Sequence, residues 1–141
     1  MDHWGVEEAI EWLRRQVQAR LATAQEAISN GDGAWHTGCT CDHGCRDYPA
    51  CEQVEGDDIT IYNEGGHDSG QARHIAANDP QDTIARCEAE LGILDVYDLW
   101  AAEPGGHPTM NAAACAVSDA VRHLASGYKH RDGYTQHWER V

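Results

Sequence analysis

Four cysteines, Cys39, Cys41, Cys45 and Cys51, fall within thirteen residues, with His36 just ahead of them and His43 among them. Zinc takes thiolate and imidazole ligands, four at a time and tetrahedrally. A glycine-rich loop can wrap such an ion where it has too few apolar side chains to build a core. On this reading Cys39, Cys41, Cys45 and Cys51 hold a structural zinc that organises an otherwise coreless segment. The spacing, however, lacks paired Cys-x-x-Cys knuckles, Cys39-x-Cys41 is tighter, and Asp42, Asp47 and Glu52 are carboxylates that no zinc scheme needs. Free thiols and a local disulfide therefore stand beside zinc as alternatives. Cys87 and Cys115 sit on apolar helical faces, where a thiol packs as a small hydrophobe.

A second constellation is His67, Asp68 and His74, which a turn at Gly65-Gly66 would bring together. General acid-base chemistry needs such groups poised near neutrality in a cleft. Solvated turns account for the first two equally well, and His74 reads more simply as a partly buried side chain of a short helix with a backbone partner. The chain has no serine elbow, phosphate-cradling glycine loop or His-Glu-x-x-His motif. No catalytic or cofactor-binding residue is assigned.

Charge carries more. The net charge is -14, from 24 acids against 10 bases. Eight acids and one arginine lie between Asp42 and Asp68, and seven acids and one arginine between Asp79 and Glu103. A surface so acidic repels nucleic acid and anionic membrane, and it steers basic proteins inward. It also serves plain solubility. A phosphate-tracking surface needs clustered Lys and Arg, and with Lys129 the single lysine none is expected, although Arg14, Arg15 and Arg20 do fall together in the first helix. Nothing near Met1 resembles a secretion signal and no apolar run is long enough for a bilayer, so a cytoplasmic location is expected, with the six cysteines read as thiols or metal ligands rather than a disulfide framework.

These groups must be positioned by a single domain over residues 1 to 141, since a chain of this length buries about two-thirds of its unfolded surface in one core. Ile10, Leu13, Val17, Leu21, Ala24 and Ile28 recur at helical steps and predict a helix over 6 to 28. Trp12 lies beside that stripe. Ala34 to Thr37 and Asp58 to Tyr62 look extended and are expected to pair as a small antiparallel sheet, with 38 to 56 as a Cys/Asp-rich loop between them and a helix against the sheet. A short helix follows over Ser69 to Ala77, with Ala72, Ile75 and Ala76 inward. Asp79 then caps, Pro80 takes the first helical position and Asp82 completes the capping spacing, opening a helix over 80 to 102 with Ile84, Cys87, Leu91, Leu94 and Tyr97 inward. A third long helix over 109 to 126 turns Ala113, Ala114, Val117, Val121 and Leu124 inward and ends at Gly127 in a left-handed cap, with Tyr128 folding back. In the tail, Asp132 caps a turn or two in which Tyr134 and Trp138 share a face. The fold class is α+β, three main amphipathic helices with a small antiparallel sheet.

The segment Ala72-Arg73-His74-Ile75-Ala76-Ala77-Asn78-Asp79-Pro80, and the tail Leu124-Ala125-Ser126-Gly127-Tyr128 with His130, Tyr134 and Trp138, resemble the characteristic pieces of an uncharacterised protein family of actinobacteria and their phages. Its members open with a long amphipathic helix and a short polar β region that begins at a Trp, here Trp35. Their Thr-Pro-Gly-Pro-Trp stretch is reduced here to Asp32-Gly33-Ala34-Trp35, and 38 to 56 is unusually rich in Cys and Asp. The resemblance implies a similar architecture and an accessory or phage-borne protein, and it brings no catalytic residue with it.

The leading functional expectation is accordingly a small acidic interaction protein rather than an enzyme, binding a basic host protein in the host cytoplasm. A small hydrolase or nucleotide-handling enzyme using His67 or His74 with carboxylates, and a zinc-stabilised structural module, are the alternatives.

Overall fold

A computed structural model of the chain describes residues 4–28, 30–38, 53–57, 59–61, 69–101 and 108–139. Its elements run α1 (Trp4–Glu26), β1 (His36–Gly38), β2 (Gln53–Glu55), β3 (Thr60–Ile61), α2 (Ser69–Ala77), α3 (Pro80–Ala101), α4 (Pro108–Ser126) and a closing 3-10 turn (Gln136–Trp138). This is an α+β fold, and the helix positions follow the apolar spacing closely. The chain resolves into two compact units, one of residues 1–20 with 87–141 and the other of residues 21–86.

The first unit has a helical core. Ile10, Leu13 and Val17 of α1, Cys87, Leu94 and Tyr97 of α3, and Val121 and Ala125 of α4 are buried. Leu91, Val117 and Leu124, also expected inward, are only half-buried. Trp12 closes the core's edge. Its ring packs on Tyr134 and Trp138, with centroids 5.7 and 5.3 Å away, and those two rings lie edge to face at 5.6 Å. The Trp12 indole N–H donates to the Asp132 carbonyl at 3.0 Å, so the polar edge of a buried ring is satisfied. The tail thus keeps its shared aromatic face, but its helical turn begins at Gln136, and Asp132 serves through its backbone rather than as a cap.

Gly127 does not take the left-handed conformation expected of it; among the described residues the positive-φ glycines are Gly31, Gly33 and Gly133. α4 ends instead by tightening. Gly127, Tyr128 and Lys129 donate their backbone N–H groups to residues three back, Leu124, Ala125 and Ser126, which satisfies the last carbonyls without a reversal. The reversal comes later at Gly133, with φ +86°, where a Cβ would lie 2.8 Å from the Trp12 indole nitrogen. Tyr128 does fold back and is buried.

The second unit carries the sheet, and here the expected pairing is wrong. β1 and β3 do not pair with each other. β2 lies between them, antiparallel to both, with Thr37 and Ile61 each opposite Val54. The strand Gln53-Val54-Glu55 falls inside the stretch read as a loop. Val54 is fully buried, and α2 packs on β1 and β2 with Ala72 fully buried, so the sheet rests on a helix as a sheet this small must.

Candidate functional site

Asp79 is the buried charged residue among those described, at 8% exposure. Its Oδ1 accepts the Asp82 backbone N–H at 2.7 Å and caps α3, while its Oδ2 accepts the Trp35 backbone N–H at 2.9 Å. One carboxylate therefore starts a helix and fixes the residue that leads into β1. The approach is tight because Gly33, at φ +74°, lets the chain lie against Ile28 and Pro80, and its carbonyl accepts the Gln81 N–H at 3.1 Å. Asp32 turns the loop by accepting the Ala34 N–H at 2.9 Å. The Asp-Pro pair and the Gly-Ala-Trp stretch are one structural joint, and both oxygens of Asp79 are committed to it rather than to chemistry.

His74 is exposed, not partly buried as its place in the short helix suggested. Its ring faces the Asn78 side chain at 3.4 Å, and its carbonyl accepts the Asn78 side-chain N–H at 2.9 Å. Among the described side chains of the short helix Ala72 is the fully buried one, and position 74 is left toward solvent. His67 and Asp68, its expected companions, lie outside the described residues, as do Cys39, Cys41, Cys45 and Cys51 with His43. What is described at the cysteine segment is its base: Gly38 and Gln53 are direct partners across the β1–β2 ladder. His36, on β1, stands 3.6 Å from the Glu55 carboxylate. Among the described residues no group of three or more His, Cys, Asp or Glu side chains converges as a metal cage.

In the helical unit a polar network escaped the sequence reading. The Tyr128 hydroxyl donates to Glu90 at 2.6 Å and accepts from Arg20 at 3.2 Å, with the Arg20 guanidinium 4.0 Å from the second Glu90 oxygen. Burial, and then the bond to Glu90, push the Tyr128 phenol up to about 12. Burial likewise pushes the Cys87 thiol up, which makes it inert as a nucleophile. The network is a clamp between α1, α3 and the end of α4. A second clamp holds α1 to α3, where Arg14 reaches Asp95 at 3.1 Å and Asp98 at 2.7 Å. Both carboxylates are well exposed, so this pair contributes little to stability. Its effect is on charge. Arg14 and Arg20 are turned onto the protein's own acids, and in the other unit Arg86 is held by Asp82 at 2.8 Å.

The outward face of α3 is apolar. Ala89, Gly92, Val96 and Leu99 follow one another at steps of three, four and three, with Ile93 and Trp100 alongside. Ile93, Val96 and Leu99 are 37%, 43% and 67% exposed, and a Cβ added at Gly92 would meet nothing within 4 Å. Exposed Glu88 and Asp95, one heptad apart, border this stripe on one side. A second apolar series in α3, offset from Leu91 and Leu94, was the available sequence signal for it.

No described helix is long and apolar enough to cross a membrane. A family model described as a family of unknown function (DUF6221) matches residues 6–140. No curated protein and no solved structure matches the chain.

Proposed function

The chain belongs to this family of unknown function, and from that premise we propose that it is a non-enzymatic interaction protein whose acidic surface captures a basic protein. The observation that carries the reading is the internal use of its cations. With a net charge of -14 and 10 bases in all, Arg14, Arg20 and Arg86 are spent on Asp95, Asp98, Glu90 and Asp82, and Arg122 donates to the Trp138 carbonyl at 3.0 Å. Each pair cancels an arginine against the protein's own acids, and the excess of 14 acids sets the sign of the outward field. Such a field accelerates encounter with cationic surfaces and repels polyanions. Following the resemblance drawn from the sequence, the protein works in the cytoplasm of an actinobacterial or phage-infected cell, and the partner is a basic host protein.

The test is capture from host lysate on immobilised protein, run in parallel with a variant carrying Gln in place of exposed Glu7, Glu8, Glu11 and Glu88. The wild type is expected to enrich basic proteins, and the variant to lose them. Recovery of the same proteins by both, or of none that is basic, refutes the proposal.

A further inference from the structure

The outward stripe of α3 points to a more specific mode of recognition. We infer that Ala89, Gly92, Ile93, Val96, Leu99 and Trp100 form a docking face for a basic amphipathic helix, an inference that rests on the acidic-capture reading above.

The geometry sets the size of the occupant. From Ala89 to Trp100 the stripe runs about 16 Å along the helix axis, three turns. The 3-4-3 spacing of Ala89, Gly92, Val96 and Leu99 is the seam that receives a partner helix, whose own apolar residues anchor at the same steps. Ala89 and Gly92 present almost no side chain, and the space over Gly92 is open, so a partner backbone can approach closely there. Toward the C-terminal end Val96 and Leu99 supply the area to be buried, Leu99 being 67% exposed.

Charge selects the chemistry. Asp95 on the border is already held by Arg14, so the selecting charge is exposed Glu88 on a chain of net charge -14, and the matching helix carries Lys or Arg beside its apolar residues. A second copy of this chain is the poorer occupant: it would bring another net charge of -14, and a single three-turn seam is far smaller than the roughly 1,600 Å² of a standard protein interface.

The experiment is isothermal titration calorimetry of the full chain with two short synthetic peptides of identical Leu/Lys composition. In one the leucines follow the helical seam, and in the other they are scrambled. The seam peptide is expected to bind about tenfold or more tightly than the scrambled one, to weaken as salt rises, and to lose about tenfold on the Val96→Ser/Leu99→Ser variant. Circular dichroism of the variant should match the wild type, because both positions are exposed. If both peptides bind equally to wild type and variant, the docking face is wrong while acidic capture survives. If neither binds, both readings fail. If sedimentation shows a wild-type dimer that the variant dissolves, the face belongs to a second copy and the inference is overturned.

Discussion

Replacing Asp79 by Ala removes two bonds at once. The lost cap leaves the Asp82 N–H at the start of α3 without its 2.7 Å acceptor, and loss of an Asp cap costs about 1 kcal/mol. The second loss strands the Trp35 N–H, which is partly buried and is held at 2.9 Å. An unsatisfied donor of that kind costs about 1–3 kcal/mol. The sum is a destabilisation of about 2–4 kcal/mol for Asp79→Ala. Asp79→Asn separates the two contributions, because an amide offers one oxygen where the carboxylate offers two. It should retain one bond and lose about half as much. Urea unfolding followed by indole fluorescence and far-ultraviolet circular dichroism reads both variants. An Asp79→Ala protein within about 0.5 kcal/mol of wild type, or an Asp79→Asn protein indistinguishable from it, would refute the joint.

Two further outcomes follow from the same physics. The Tyr128 phenol rises from an ordinary 10.0 to about 12 in the folded protein, so the unfolded chain ionises first on the alkaline side. The stability this group supplies is whole below pH 10 and drains away as pH climbs through about 12. Tyr128→Phe should flatten that alkaline loss and remove a phenolate absorbance that titrates near 12; a difference spectrum titrating at 10 would contradict it. Gly33→Ala should cost about 1–2 kcal/mol for its left-handed backbone and more for the Cβ placed 2.6 Å from Ile28 Cδ1. Ile28→Val, which deletes that methyl, should restore only part of the loss in thermal melts, and full rescue would show that φ is unimportant.

The helices were legible because their signals were redundant. At α3 the Asp79 cap, the Pro80 start and the buried Cys87, Leu94 and Tyr97 all agree. β2 was not, since Gln53-Val54-Glu55 offers one apolar side chain between two polar ones, and its identity as the central strand comes from neighbours on both sides. The end of α4 misled because a glycine is only permissive: Gly127 had carbonyls within reach at three residues and needed no reversal. The clamps were illegible for another reason. Arg14 with Asp95, and Arg20 with Glu90 and Tyr128, are remote in sequence, and only packing brings them together. Periodicity also assigned α3 one apolar face, and the second, solvent-facing one surfaced only when Val96 and Leu99 were seen uncovered.

Gly38 opposite Gln53 has an effect on the chain's tolerance of change. The ladder joins two residues fifteen positions apart, and the entropy of closing a flexible loop across such a neck grows only slowly with length. Doubling such a loop costs about 0.6 kcal/mol. Lengthening the chain between Gly38 and Gln53 by a flexible insert is therefore expected to leave the β1–β2 register standing at a cost of that order.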